Sequence, residues 1–255
     1  MSKQYVVSGG ASGIGAALVQ QLRARGDRVI IVDVREGDVV ADLSTAAGIE
    51  SALAQIHKLA AGGLDGLVPC AGLGPHTRPA TLITQVNYFG SVRLLEGLRP
   101  LLEARRGTAV LVSSNSAALP GRNEAYVKAL LAGDEPAACR IIESLDGQTA
   151  YGGSKFALAL WMRKQAPGWM RAGVRLNAVA PGITRTAMTD GVFGDPQWGK
   201  AIQQFNAMTP SGLMASPDMI ADAILFLLDP VSQFVCGSVL FVDGGTDALL
   251  RPEGF

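Results

Sequence analysis

The chain of 255 residues is long enough for one large α/β domain or two small ones, and for a substantial buried core. Its 22 basic and 22 acidic residues cancel to zero formal charge without any basic run, which argues against a nucleic-acid partner. Three scattered cysteines (Cys70, Cys139, Cys236) and two histidines (His57, His76) suit neither a disulfide framework nor a metal site, and no apolar stretch reaches bilayer length.

In chain order, QYVVSGG reads as a short buried strand ending in glycines. GIGAALVQQLRARG follows with helical periodicity and a stop at Gly26. RVIIVD is a second buried strand closed by Asp33, and STAAGIESALAQIHKLA a helix with Ser44 or Thr45 as N-cap. DGLVPCAG is a third strand, residues 78–104 are mainly helical, and TAVLVSS is a strand. Residues 150–172 form a helix, VRLNAVAPG a strand, SPDMIADAILFLL a helix opened by Ser216-Pro217, and SVLFVDGG the last strand. Strands that are continuous apolar runs and alternate with helices predict a parallel sheet covered on both faces. Without a low-complexity linker or an internal repeat, residues 1–255 read as one doubly wound, Rossmann-type domain. Its site is expected at the carboxyl ends of the strands. MSKQYVVSGG carries no apolar leader segment, so a cytoplasmic, reduced protein is expected.

SGGASGIG, residues 8–15, lies between the first strand and the first helix. A free helix N-terminus offers unpaired N–H groups and a positive dipole end to a phosphate. Gly9, Gly13 and Gly15 let the backbone approach closely, although their spacing is not the commoner G-x-G-x-x-G. Asp33 is placed to accept hydrogen bonds from both ribose hydroxyls and to repel a 2′-phosphate, which favours NAD over NADP. Arg35 could instead swing toward a phosphate. Asp42, in ADLS, reads either as a helix cap or as a partner for an adenine amino group.

TAYGGSKFALAL sets Tyr151 and Lys155 one helical turn apart. Alone, that spacing is ordinary amphipathic patterning. With SGGASGIG, the CAG at 70–72, VNYFG at 86–90, LVSS at 111–114 and NAVAPGITRT it forms an ordered series. The series resembles the short-chain dehydrogenase/reductase family along nearly the whole chain. ADLS, LDGLVPCAGLGP, VNYFG and the tail DGGTDALLRPEGF are most similar to its 3α-hydroxysteroid dehydrogenase/carbonyl reductase branch.

The resemblance implies that Tyr151 is the general acid/base. A free phenol is too weak an acid to serve as a base at neutral pH, and a cation one turn away is expected to lower its pKa. Lys155 supplies that cation and, in the family, binds the nicotinamide ribose. Ser114 holds the substrate oxygen, with Ser113 its rival by sequence alone. Asn87 becomes a helix-bending residue that holds a relay water behind Lys155. The cofactor set implied is Ser8, Gly9, Ser12, Gly13, Ile14, Gly15, Asp33, Asp42, Leu43, Cys70, Ala71, Gly72, Tyr151, Lys155, Pro181, Gly182, Ile183 and Thr186. Cys70 stands where the family usually has asparagine, so hydrogen bonds of that amide must be made otherwise. A buried thiol there behaves as a small hydrophobe, not a catalyst.

Residues 115–150 make the gap between serine and tyrosine unusually long, and NEAYVKALLAG and EPAACRIIESL predict a helical hairpin in it. By the same resemblance the hairpin blocks the helices that pair in tetrameric members, leaving a homodimer through the C-terminal part. Residues 187–214, with Met188, Val192, Phe193, Trp198, Phe205, Met208 and Met214, are either helix core or a lid over a bulky apolar substrate such as a steroid. Leu73 and His76 join that lid, or His76 is simply a solvent-exposed loop residue. The expected activity is NAD(H)-dependent interconversion of a 3α-hydroxysteroid and its ketone. The alternatives are a carbonyl reductase of other ketones and a non-catalytic cofactor-binding regulator. The intact Ser114, Tyr151, Lys155 and Asn87 set argues against the last.

Overall fold

Seven runs rich in valine, isoleucine, leucine and alanine become strands: β1 (Gln4–Ser8), β2 (Arg28–Asp33), β3 (Val39–Val40), β4 (Gly66–Pro69), β5 (Thr108–Val112), β6 (Arg175–Pro181) and β7 (Val239–Val242). In the computed structural model, which describes residues 2–254, they form one sheet in the order β3-β2-β1-β4-β5-β6-β7, parallel throughout. Every residue of β4, β5 and β6 is buried, because helices cover both faces there. The order reverses at β1, so the crevice lies where β1 and β4 end, as the strand–helix alternation predicts.

The helices are α1 (Gly13–Ala24), α2 (Ala46–Leu59), α3 (Thr81–Thr84), α4 (Ser91–Arg105), α5 (Glu124–Leu131), α6 (Glu135–Glu143), α7 (Gly147–Arg171), α8 (Ala187–Phe193), α9 (Gly199–Ala207), α10 (Pro217–Leu228) and α11 (Thr246–Leu250). On one face, Leu18 and Leu22 of α1 and Ile224 and Leu228 of α10 pack on Val7, Val68 and Val110. On the other, Ile49, Ile56, Leu94, Leu98, Leu158 and Trp169 from α2, α4 and α7 cover Val6, Leu67 and Leu111. Each such side chain contributes about 1.5–3 kcal/mol of transfer free energy. Arg175 ties β6 to the end of α10, donating to the carbonyls of Leu227 at 2.8 Å and Ser232 at 3.1 Å.

The insertion is a helical hairpin, α5 and α6, as its periodicity predicts. Tyr126 locks it down. The side chain is fully buried, its hydroxyl lies 2.7 Å from Thr84 Oγ1, and its ring occupies the space where a Cβ on Gly153 of α7 would stand. Arg93 of α4 pairs with Glu135 at 2.6 Å, and Arg122 stacks 4.0 Å above Phe156 of α7. The hairpin thus lies over the outer sides of α4 and α7.

Two features depart from the sequence reading, and a third settles alternatives that it left open. Residues 78–104 are interrupted by a π-helical turn, Gln85–Gly90, with Asn87 inside it. α7 starts at Gly147, three residues early, because Asp146 caps it through the Thr149 N–H at 2.7 Å. The α2 cap is Thr45, which accepts from the Gly48 N–H, while the Asp42 carboxylate accepts from Ser44 N–H and Oγ. Asp42 is therefore not the helix cap. No helix among the described residues is long and apolar enough to cross a membrane.

Candidate active site

The glycine turn leaves β1 through a passage that only glycine fits. Gly9 has φ +66°, and a Cβ there would stand 2.7 Å from Ala71 N and Cα at the end of β4. A Cβ on Gly15 would collide with the Gly9 carbonyl. Ser12 is the N-cap of α1, yet its side chain makes no capping bond, so the helix N-terminus keeps donors available for an anion. Ile14 packs against the α1 core. Asp33 stands at the end of β2 and accepts only two long hydrogen bonds, both 3.3 Å, from the N–H groups of Ala11 and Arg35. Asp33 keeps acceptor capacity beyond these two bonds, and Arg35 itself is exposed. This cradle, with a carboxylate one strand away, fits a dinucleotide with free ribose hydroxyls.

At the exit of β4, Ser8 Oγ accepts from Ala71 N–H at 3.2 Å, and Cys70 N–H bonds the Ser8 carbonyl at 3.1 Å. These bonds fasten the β4 exit to the end of β1. Burial pushes the Cys70 thiol up to about 11, with Lys155 pulling weakly the other way, so it is not a thiolate nucleophile. Gly72 lies between Asn87 and Lys155: a Cβ on it would be 3.4 Å from Asn87 Oδ1 and 3.5 Å from Lys155 Nζ. Asn87 grips this strand exit with both ends of its amide, accepting from Leu73 N–H at 2.7 Å and donating to Leu73 O at 3.0 Å. The π turn aims that side chain at the site.

The two serines after β5 divide their work. Ser113 donates to the carbonyl of Lys155 at 2.9 Å and fastens β5 to α7. Ser114 instead stands near enough to the Tyr151 hydroxyl to pull its pKa down, and accepts from Ser116 N–H at 3.2 Å and Oγ at 2.9 Å. The sequence left these serines as rivals, and only Ser114 faces the phenol. Ser116 escaped the sequence reading; its spacing, two after Ser114, was the only signal.

The expected effect of Lys155 on Tyr151 is not what the geometry produces. Lys155 Nζ donates to the Val112 carbonyl at 2.8 Å and lies 5.9 Å from the phenol ring centroid. Burial is the largest influence on Tyr151 and holds its pKa above the ordinary phenol value, with Ser114 opposing it. Some of the tyrosine surface is accessible, but the crevice walls remove most of its hydration. The same burial lowers Lys155 to about 8.

β6 ends at Pro181. Gly182 donates to Val242 O at 3.0 Å and passes so close to Asp243 that a Cβ would sit 2.8 Å from Asp243 Cα. Ile183 O accepts from Ala215 N–H, and Thr186 caps α8 through Thr189 N–H. Thr186 Cγ2 would touch a Cβ on Gly13 at 3.3 Å, so the β6 exit and the glycine turn face each other. Leu43 departs from its companions: it is buried, with its carbonyl against Gly90, and offers its side chain to the core. The remaining predicted residues gather along one edge of the sheet.

Residues 187–214 fold as α8 and α9, but only Val192 among their large apolar residues is buried. They are not helix core. Met188 and His76 both crowd Gly74, and the His76 ring also fills the space beside Gly191 of α8. His76 is therefore a half-buried strut between the β4 exit loop and α8, not a solvent-exposed loop residue. A cavity of about 500 Å³ opens beyond the β6 exit, and neither Ser114 nor Tyr151 lines it.

Fold and site define a Rossmann-type oxidoreductase. Two family models match: short chain dehydrogenase over residues 3–127, and enoyl-(acyl carrier protein) reductase over residues 138–247. The chain is 41% identical to the 3-alpha-hydroxysteroid dehydrogenase/carbonyl reductase of Comamonas testosteroni, over 98% of each chain. It is 30% identical to the cis-4-hydroxycyclohexanecarboxylate dehydrogenase of Sinomonas cyclohexanicum, over 96% of each. The crystal structure of a 3-alpha-hydroxysteroid dehydrogenase from Pseudomonas sp. B-0831, complexed with NADH, superposes with a TM-score of 0.96 at 43% identity, covering 99% of this chain and all of that one. The chain belongs to the short-chain dehydrogenase/reductase family.

Proposed function

We propose that this protein is an NAD(H)-dependent 3α-hydroxysteroid dehydrogenase that interconverts the secondary alcohol and the 3-ketone. The observation that carries the reading is the grouping of Ser114, Tyr151 and buried Lys155, whose Nζ lies 5.9 Å from the phenol ring centroid, at the same end of the sheet as the glycine cradle and Asp33. The similarity to the Comamonas and Pseudomonas enzymes supports the steroid and the cofactor. Gly9, Gly13, Gly15, Ser12 and Ile14 would hold the pyrophosphate, Asp33 the ribose hydroxyls, and Asp42 the adenine. Pro181, Gly182, Ile183 and Thr186 would hold the carboxamide, with Ser8 and the Cys70–Gly72 segment forming the floor.

The nicotinamide, when bound, supplies or accepts the hydride. Tyr151 gives its proton to the ketone oxygen in reduction and takes it back in oxidation. Ser114 donates to the same oxygen and stabilises the charge that develops on it. Lys155 orients the ribose and places a cation beneath the phenol. Asn87 keeps the Gly72–Leu73 segment in place behind Lys155, where a relay water would sit. α8 and α9 close over an apolar substrate. A second reading, reduction of non-steroid ketones, is favoured by the largely unburied apolar side chains of those helices, which suit more than one ligand shape.

The exposed Val231, Phe234, Phe226 and Met219, beside edge strand β7, support a homodimer through the C-terminal part, and a tetramer by light scattering would refute it. We place the protein in the cytoplasm. The first test is NADH formation at 340 nm with a 3α-hydroxysteroid, its 3β epimer and NADP run in parallel. A rate with the 3α epimer and NAD alone supports the full reading. NADH consumption with simple ketones, but no rate with either epimer, removes the steroid.

A further inference from the structure

Five buried side-chain polar atoms among the described residues have no hydrogen-bond partner: Gln21 Oε1, His76 Nδ1, Gln148 Oε1, Trp198 Nε1 and Asn206 Oδ1. Gln21 lies away on α1. The other four lie on the β4 exit loop, on the first turn of α7 that leads to Tyr151, or on the α8–α9 segment. A buried polar atom without a partner costs about 1–3 kcal/mol, so water or a bound molecule must complete these groups.

Gln148 is the most informative. It precedes Tyr151 by three on α7, so both side chains share one face of the helix. The rise over three residues is about 4.5 Å. Its carboxamide bonds no described residue, whereas its neighbours are engaged: Asp146 and Thr149 in the cap, Gly147 against the Pro75 carbonyl. That Gly147–Pro75 contact brings the start of α7 onto the loop that carries His76. The imidazole is held between Gly74 and Gly191, where a Cβ would stand 3.0 and 2.8 Å from ring atoms. It has its own unpartnered Nδ1.

We propose that Gln148, with His76 on the adjoining loop, recognises a second polar group of the substrate, a hydroxyl or keto group about one helical turn from the reacting carbon. The inference rests on the alcohol–ketone reading above and narrows it: the preferred substrate carries two oxygen functions on one ring system. Gln148 offers a donor and an acceptor, so it accommodates either function. A site built to pair a hydroxyl discriminates strongly against an analogue that lacks it, because its own buried groups are then left unpaired.

The test compares a 3α-hydroxysteroid with an otherwise identical 3α,7α-dihydroxysteroid, whose hydroxyls lie on the order of one helical turn apart. The wild-type enzyme is expected to favour the dihydroxy substrate in kcat/KM by roughly tenfold or more, mainly through KM. Gln148→Leu removes most of that preference, and His76→Phe a smaller part. Binding of the dihydroxysteroid to the NADH-loaded protein weakens in parallel, and an unchanged melting temperature shows that the fold survives. Equal losses for both substrates in Gln148→Leu, or a wild-type enzyme indifferent to the second hydroxyl, overturn the inference alone. No turnover of either steroid by the wild-type enzyme overturns the parent reading and the inference with it.

Discussion

Replacing Lys155 with methionine is expected to make the cofactor-free protein more stable while destroying its activity. The ammonium is buried and its only hydrogen bond is to Val112 O at 2.8 Å. Burial lowers its pKa from 10.5 to about 8. Holding the charge therefore costs the fold about 3 kcal/mol below pH 8 relative to the unfolded chain. Methionine has similar length and no charge, but it strands the Val112 carbonyl, which returns about 1 kcal/mol. The net gain of about 2 kcal/mol raises the melting temperature by about 4–8 °C at pH 7. The sign of the pH dependence follows from the lowered pKa. Between about 8 and 10.5 the unfolded chain binds the proton that the fold has released, so wild-type stability rises with pH through that window. The advantage of Lys155→Met should shrink correspondingly. Thermal melts of both proteins at pH 7 and pH 10 measure this. A variant that melts lower at pH 7, or a difference that does not move with pH, would refute the reasoning.

Tyr151→Phe should lower kcat by about 10²–10⁴-fold while leaving NADH binding measurable by fluorescence; full turnover would remove the general acid/base assignment. Asp33→Ala loses two charge-assisted acceptors for the ribose, so NAD should bind roughly tenfold or more weakly and NADP be hardly affected; titration of both cofactors decides it, and an unchanged preference counts against Asp33. Tyr126→Phe strands buried Thr84 Oγ1, which lies 2.7 Å from the phenol, and should cost about 1–3 kcal/mol in urea unfolding; no loss would mean that the hairpin is not anchored there.

The sheet was legible because its strands are buried on both faces and so appear as uninterrupted apolar runs, separated by helices whose period is plain. Val39–Val40 was not, since two residues carry no period. The site was legible mostly through resemblance. Gly9, Gly13 and Gly15 have a backbone reason that spacing suggests; Ser114 was preferred to Ser113 only through the resemblance, and the structure turns Ser113 to the Lys155 carbonyl instead. Asn87 was readable through the resemblance as a helix-bending residue, but its bonds to both main-chain groups of Leu73 appear only in the fold. Gln148 gave no signal, and His76 stood out only as a possible lid residue, because an unpartnered buried atom is a property of three dimensions only.

In the cofactor-free fold burial outweighs Lys155 in setting the state of Tyr151. The resemblance implied that the Lys155 cation lowers the phenol pKa. Burial instead drives both groups toward their neutral forms, raising the phenol and lowering the amine. The same dry surroundings make any charge that appears during the reaction interact more strongly with fixed donors such as Ser114. Stability is lost at Lys155 for that reason, and the surrounding strands β4, β5 and β6, buried along their whole length, supply the compensating apolar contacts. Relief of that strain by Lys155→Met and loss of catalysis in the same variant would be two readings of one cause.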